Sequence, residues 1–452
     1  MIVVGLMYLI LGLFVAYSEA RKIVRNRKIK IVSCFKLMYS FVYGFLPAII
    51  FFRAECGISS IIDQSNSRSY LITGLVYFFF AIFVILIFDL GYKNKVSRVK
   101  HEIISCNTMY WSGIVLTIIG WFSLFLWTKA AGGIFAFIQH ADGIRAGYYQ
   151  LNNSFAFMQN VAKILLFASV VSFSNVLNQI NMRKVISVIV FITSAIGSIL
   201  FISAWDSRAT LGLFILCLYF IYIDYSVSQK NISMRRRIIE LAAILFAVFL
   251  LIIIAPTIFA FIRNDSNRVS TNMLPGLMTL IEHEFGFVLE SQNLTLSFVN
   301  GNDFKPLFWN DFVNAIVSWI PTRFIPFEKP QTLWGMITSM ANSRGTLPTD
   351  FISGSICEMW FFGIIVFPII GGMIIRKLDI KFSENSMYCE NQKLYQNGGE
   401  QAYDSYNSVM TYTIALIVIN SVSHFQITAI VQGVFYIFLG FIVINFIQNQ
   451  NR

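Results

Sequence analysis

The residues of this chain best suited to chemistry are the ionisable side chains that sit beside long apolar blocks. In Ser203–Gly212 (SAWDSRATLG), Asp206 and Arg208 fall between two such blocks, with Arg208 in the first turn of the second. The planar fork of a guanidinium makes two parallel charge-assisted hydrogen bonds, which suits a phosphate or pyrophosphate. The alternative is an arginine that snorkels to headgroups or pairs with Asp206. Pro321–Pro330 (PTRFIPFEKP) holds Arg323 and Lys329 among prolines, and Ser343–Gly354 (SRGTLPTDFISG) sets Arg344 and Asp350 just ahead of another apolar block. Proline stiffens such segments and glycine allows close approach, as a ligand site requires. Arg344 is preferred to Arg323 as a ligand, each against the alternative of an ordinary loop arginine.

A reaction also needs a base. Glu358 is expected about one turn inside a membrane helix, where a carboxylate must face the bundle interior, as a base or as the partner of an arginine. Lys163 is the other charge within an apolar block, expected to pair with an interior carboxylate. His140 and Asp142, beside Arg145 (HADGIRAGYY), compete with His283 and Glu284 for the role of general base. The triplet Glu282-His283-Glu284 cannot converge on one ion, because consecutive helical residues point about 100° apart. There is no Asp-x-Asp pair, no glycine-rich phosphate loop and no His-x₃-His pair, so no metal and no cofactor are expected.

The elements that must position these groups are membrane helices. With 56% hydrophobic and 13% charged residues the composition does not fit a soluble domain. Apolar blocks of about twenty residues recur, each long enough to cross about 30 Å of hydrocarbon. The pattern predicts about eleven spans, near 2–18, 31–52, 69–90, 110–128, 155–178, 185–204, 208–227, 238–262, 354–375, 408–424 and 427–447. The runs lack the alternation of a barrel strand, so the class is all-α, a polytopic helical bundle. Odd-numbered connections are rich in Lys and Arg, as in Arg21, Lys22, Arg25, Arg27, Lys28 and Lys30 of the first, and are expected to be cytoplasmic. The N-terminus is then outside, as an uncleaved first helix, and the C-terminus inside. The net charge of +11 is read as topology beside anionic headgroups, and no nucleic acid is expected as a partner. The six cysteines show no paired spacing.

Three regions follow: an N-terminal bundle over 1–263 with about eight helices, a long outer loop over 264–353, and about three helices over 354–452. The last region includes a polar cytoplasmic loop over 376–407. Apolar residues recur at helical spacing in Pro306–Pro321 and Pro275–Leu289, so the outer loop should carry amphipathic helices lying on the membrane or on the bundle.

With these features the chain resembles the Wzy family, the O-antigen (oligosaccharide repeat-unit) polymerases of Gram-negative inner membranes. The likeness runs over nearly the whole length and is carried most by Asp206–Leu211 (DSRATL), Ile320–Pro330 (IPTRFIPFEKP) and Arg344–Gly363 (RGTLPTDFISGSICEMWFFG). It implies a membrane-embedded glycosyltransferase of the GT-C class with its active site facing the periplasm. The donor would be a glycan on undecaprenyl pyrophosphate and the acceptor a repeat unit on the same lipid, with a chain-length regulator as protein partner. Arg208 and Arg344 would act in catalysis with Asp142, His140 or Glu358 nearby, and Arg145, Asp206, Arg323, Lys329 and Asp350 would hold substrate. Trp205, Trp319, Phe324 and Trp334 would stack on sugars or face lipid. An O-antigen ligase shares this architecture. A flippase for the lipid-linked unit is the rival of another class, although flippases usually show paired repeats, which this chain lacks.

Overall fold

The computed structural model describes residues 1–26, 28–94, 104–140, 155, 157–204, 208–230, 239–240, 282, 285–301, 305–317, 327, 330, 332–340, 347–384 and 404–450. Every regular element among them is helical. In chain order these are α1 (Ile2–Asn26), α2 (Ile31–Ser40), α3 (Leu46–Glu55), α4 (Ser67–Tyr92), α5 (Cys106–Thr128), α6 (Ile134–Gln139), α7 (Met158–Ala162), α8 (Ile164–Asn178), α9 (Asn181–Ala204) and α10 (Arg208–Lys230). They are followed by α11 (Phe287–Val299), α12 (Asn310–Val317), α13 (Leu333–Met340), α14 (Phe351–Met359), α15 (Gly363–Leu378), α16 (Ser405–Ser423) and α17 (Ile427–Gln450).

Nine helical segments among the described residues are long and apolar enough to cross a membrane, against the eleven expected. The block at 238–262 lies outside the described residues apart from 239–240. The block near 408–424 is a helix, α16, and its polar residues Asn407, Ser408, Thr411, Thr413 and Ser423 are buried. It packs among other helices, so its side chains meet protein on most sides.

Helices at the rim of the bundle turn their apolar faces outward and their small residues inward. In α9, Met182, Val185, Ile189, Ile192 and Ile196 are exposed, whereas Ser187, Ser194, Gly197 and Ser198 are buried. Between apolar surroundings, close backbone packing rather than hydrophobicity joins helices, and small residues permit it. The α4–α15 crossing shows the limit. A Cβ added at Gly91 would stand 2.4 Å from the Ile369 carbonyl oxygen, and one at Gly372 2.4 Å from that of Phe88.

Three predicted spans are interrupted. A π-helical turn at Phe41–Phe45 joins α2 to α3, Lys163 separates α7 from α8, and Trp360, with φ 56°, ends α14 before α15 begins. The basic-rich connections gather at one end of the bundle. There Lys36 bridges Asp89 at 2.6 Å and Glu19 at 3.5 Å, and Asp379 accepts the amide of Ile31 at 2.8 Å, capping α2.

The opposite end carries the described part of the long loop. Helix α11, not expected from sequence, packs against α4 and α14 with Ser291, Gln292 and Thr295 buried. Helix α12 lies against α17 with polar Asp311 and Asn314 inward and Phe312, Val313 and Ile316 outward. The apolar stripe expected in this segment is therefore present and faces away from the bundle. The loop is clasped to the bundle by Glu282. This buried carboxylate takes the Nε–H of Arg53 at 2.9 Å and the amide and hydroxyl of Ser60 at 2.8 and 2.7 Å. Burial alone would raise its pKa, but these hydrogen bonds and the guanidinium charge outweigh that and hold it below the ordinary carboxylate range.

Candidate functional site

A cavity of about 490 Å³ opens between α7–α8, α10, α13, α16 and α17. Its apolar part is formed by Leu166, Val170, Leu213, Phe214, Leu416 and Ile417. Its polar part gathers Lys163, Asn420, His424, Gln426 and Gln432 around Trp334. Lys163 stands above the fifteen residues of α8, so it lies about 22 Å from the end where the basic connections gather. The polar part thus belongs to the half of the bundle that meets the long loop.

Each polar group is placed by a local feature. Lys163 sits at the junction of α7 and α8, as C-cap of the first and N-cap of the second, with its amide bonded back to α7. The sequence reading paired Lys163 with an interior carboxylate. Instead, among the described residues, Lys163 makes no ion pair and no Asp or Glu lines the cavity with it. A buried-depth cation without a carboxylate attracts an anionic ligand.

His424 sits where α16 has ended and α17 has not begun. Its Nδ1 pairs with the Ser423 hydroxyl at 2.9 Å, and its ring lies 4.8 Å from that of Phe287 and 6.4 Å from that of Trp334, centre to centre. When Nδ1–H donates to Ser423 Oγ, Nε2 is left as an acceptor. Trp334 is fixed by its Nε1–H, which donates to the Phe425 carbonyl at 3.3 Å. The same carbonyl accepts the Thr349 hydroxyl at 2.8 Å, and the Phe425 amide donates back to Thr349 at 2.7 Å.

Asp311 fastens the two helices that bring these groups together. Its fully buried carboxylate accepts the Thr428 amide at 3.1 Å, the Thr428 hydroxyl at 3.0 Å and, more loosely, the Leu333 amide at 3.4 Å. The first turns of α13 and α17 are thereby tied to α12.

Comparison with protein-family models, with curated proteins and with solved structures finds no match to this chain. The site therefore rests on geometry. Arg208 opens α10, whose Thr210, Leu213 and Phe214 line the cavity; its side chain is outside the described residues. So are Asp142, Arg145, Asp206, Arg323, Lys329 and Arg344, together with His283, Glu284, Trp205, Trp319 and Phe324. His140 is exposed just past α6 and does not line the cavity.

Asp350, expected to hold substrate, is fully buried as the N-cap of α14. It accepts from the Tyr43 hydroxyl at 2.5 Å, the Ser353 hydroxyl at 2.5 Å, the Ser291 hydroxyl at 3.1 Å and the amides of Ile352 and Ser353. Its lone pairs are engaged inside the protein, which makes it a structural anchor. Glu358 faces the interior as expected, fully buried, but no arginine pairs with it among the described residues. Its nearest electrostatic neighbours are Asp311 and the Trp309 amide, and neither carboxylate oxygen meets hydrogen-bond geometry.

His424 was missed because a single histidine closing an apolar run reads as the end of a span. The signal available was the clustering of Asn420, Ser421, Ser423, His424, Gln426 and Gln432 at the junction of the last two spans.

Proposed function

We propose that this chain is an O-antigen or related polysaccharide repeat-unit polymerase of the bacterial inner membrane. It would transfer the growing glycan from undecaprenyl pyrophosphate to the non-reducing end of a new lipid-linked unit at the periplasmic face. The observation that carries this reading is the cavity beside the long loop, with an apolar floor, Lys163 as its only charged wall residue among the described residues, and His424 in the same wall. A polyisoprenyl pyrophosphate matches that division, its anion at Lys163 and its hydrocarbon on Leu166, Val170, Leu213 and Phe214.

In the proposed reaction the acceptor hydroxyl attacks the donor's anomeric carbon. The bond from that carbon to the pyrophosphate oxygen breaks, and the lipid pyrophosphate leaves with the electron pair. The leaving group brings its own activation, so the protein has chiefly to orient the reactants and stabilise the developing charge. Lys163 does the second, with Arg208 and Arg344 as further candidates from the sequence. His424 Nε2 receives the hydroxyl proton. Of the bases considered from sequence, His140 and Glu358 do not line the cavity and Asp142, His283 and Glu284 lie outside the described residues; His424 is the histidine that does line it.

The test is the lipopolysaccharide of a strain lacking the gene, complemented with wild type, Lys163→Ala, His424→Ala, Arg208→Ala or Arg344→Ala. Core bearing a single repeat unit in the deletion strain supports polymerase. Core bearing none turns the assignment to ligase or flippase, and a full ladder from Lys163→Ala and His424→Ala removes the cavity as the site.

A further inference from the structure

The cavity wall carries more hydrogen-bonding capacity than a phosphate needs. Three carboxamides, Asn420, Gln426 and Gln432, line it, and none of their side chains makes a hydrogen bond among the described residues. Gln426 is 7% exposed and lines the cavity. An enclosed amide without a partner is costly unless a ligand supplies one. Each carboxamide offers two donors and an acceptor. In the same wall the Trp334 ring is held through its Nε1–H, with the His424 ring 6.4 Å away, centre to centre.

Neutral donors and acceptors around an aromatic face match a ligand with many hydroxyls on one side of a ring and C–H groups on the other. We infer that Trp334, Asn420, Gln426 and Gln432 form a carbohydrate subsite, which reads the sugar next to the pyrophosphate held at Lys163. The inference rests on the polymerase reading and extends it by separating the lipid-phosphate part of the cavity from the sugar part. No carboxylate lines the subsite among the described residues, so the recognition these residues offer is of hydroxyl and acetamido groups. The hydrogen bond of Trp334 to Phe425 is a fixing contact, so the ring, not the indole nitrogen, meets the sugar.

The full chain in lipid nanodiscs tests this with two probes, undecaprenyl pyrophosphate and the same lipid bearing one N-acetylhexosamine. Wild type should bind the glycosylated probe about tenfold or more tightly than the bare one, the equivalent of one or two hydrogen bonds. Trp334→Ala and Gln426→Leu should erase that difference and leave the bare lipid unchanged, whereas Trp334→Phe should keep most of it. Lys163→Ala should weaken both probes alike. Equal binding of the two probes by wild type, or an undiminished preference in both Trp334→Ala and Gln426→Leu, overturns the subsite while leaving the lipid reading intact. Failure of wild type to bind either probe overturns the reading beneath it. If Trp334→Ala does not fold, Gln426→Leu and Trp334→Phe still decide the outcome.

Discussion

Replacing Asp311 tests whether the cavity wall is held as its hydrogen bonds indicate. In Asp311→Ala the Thr428 amide loses its acceptor at 3.1 Å, whereas the Thr428 hydroxyl keeps a second one, the Asp311 carbonyl at 3.0 Å. The Leu333 contact at 3.4 Å is long and adds little. A buried hydrogen bond to a charged group is worth about 1.5–3 kcal/mol, and the vacated volume adds to its loss. The net cost should be about 2–4 kcal/mol for alanine. Asparagine keeps one acceptor, so it should cost about 1 kcal/mol. Thermal unfolding of the purified protein in nanodiscs should rank wild type above Asp311→Asn, and that above Asp311→Ala. In a Ser421→Cys background, maleimide labelling of the cavity wall should speed up in the same order. An alanine variant as stable as wild type, or one less damaging than asparagine, would refute the clasp.

Lys163→Ala should lower polymer formation by about 10²–10³ and Lys163→Arg should recover much of it, as read from ladder length on gels. His424→Ala should reduce the rate by about 10²–10⁴, measured with lipid-linked substrates, while substrate still binds. For Glu282, the folded pKa lies below its ordinary value, so its stabilisation is full above the ordinary carboxylate range and fades as pH falls through the depressed folded value. Acid unfolding scans of wild type and Glu282→Gln should therefore converge at low pH and separate near neutrality; a constant gap would contradict the clasp with Arg53. Cys56 and Cys106 are both exposed, at opposite ends of the bundle. On intact spheroplasts a membrane-impermeant maleimide should label Cys56 alone, and the reverse pattern would invert the expected orientation.

The spans were largely legible because crossing hydrocarbon demands a contiguous apolar run, which composition cannot hide. Interruptions at Lys163 and Trp360 were not legible, since they depend on what packs beside the helix rather than on a proline or glycine at the break. α11 escaped notice because Ser291, Gln292 and Thr295 look like loop residues until α14 is seen to receive them. Glu358 was correctly placed in the interior, because a carboxylate at that depth has few other options. Its expected arginine partner and the carboxylate expected for Lys163 illustrate the limit. Sequence shows that a buried charge needs an environment, but tertiary packing decides whether that environment is another residue or an open cavity. Asp350 illustrates the same limit, since a helix cap and a ligand contact call for the same residue type.

The orientation of α12 bears on how the outer loop can be handled. Its greasy residues look away from the protein and its polar ones look in, the reverse of a helix in a water-soluble domain. Excised and expressed alone, this segment would present Phe312 and Ile316 to water and strand Asp311 without the amides it caps. This helix is thus no detachable module, since its polar face is completed only by the Thr428 and Leu333 groups of the bundle.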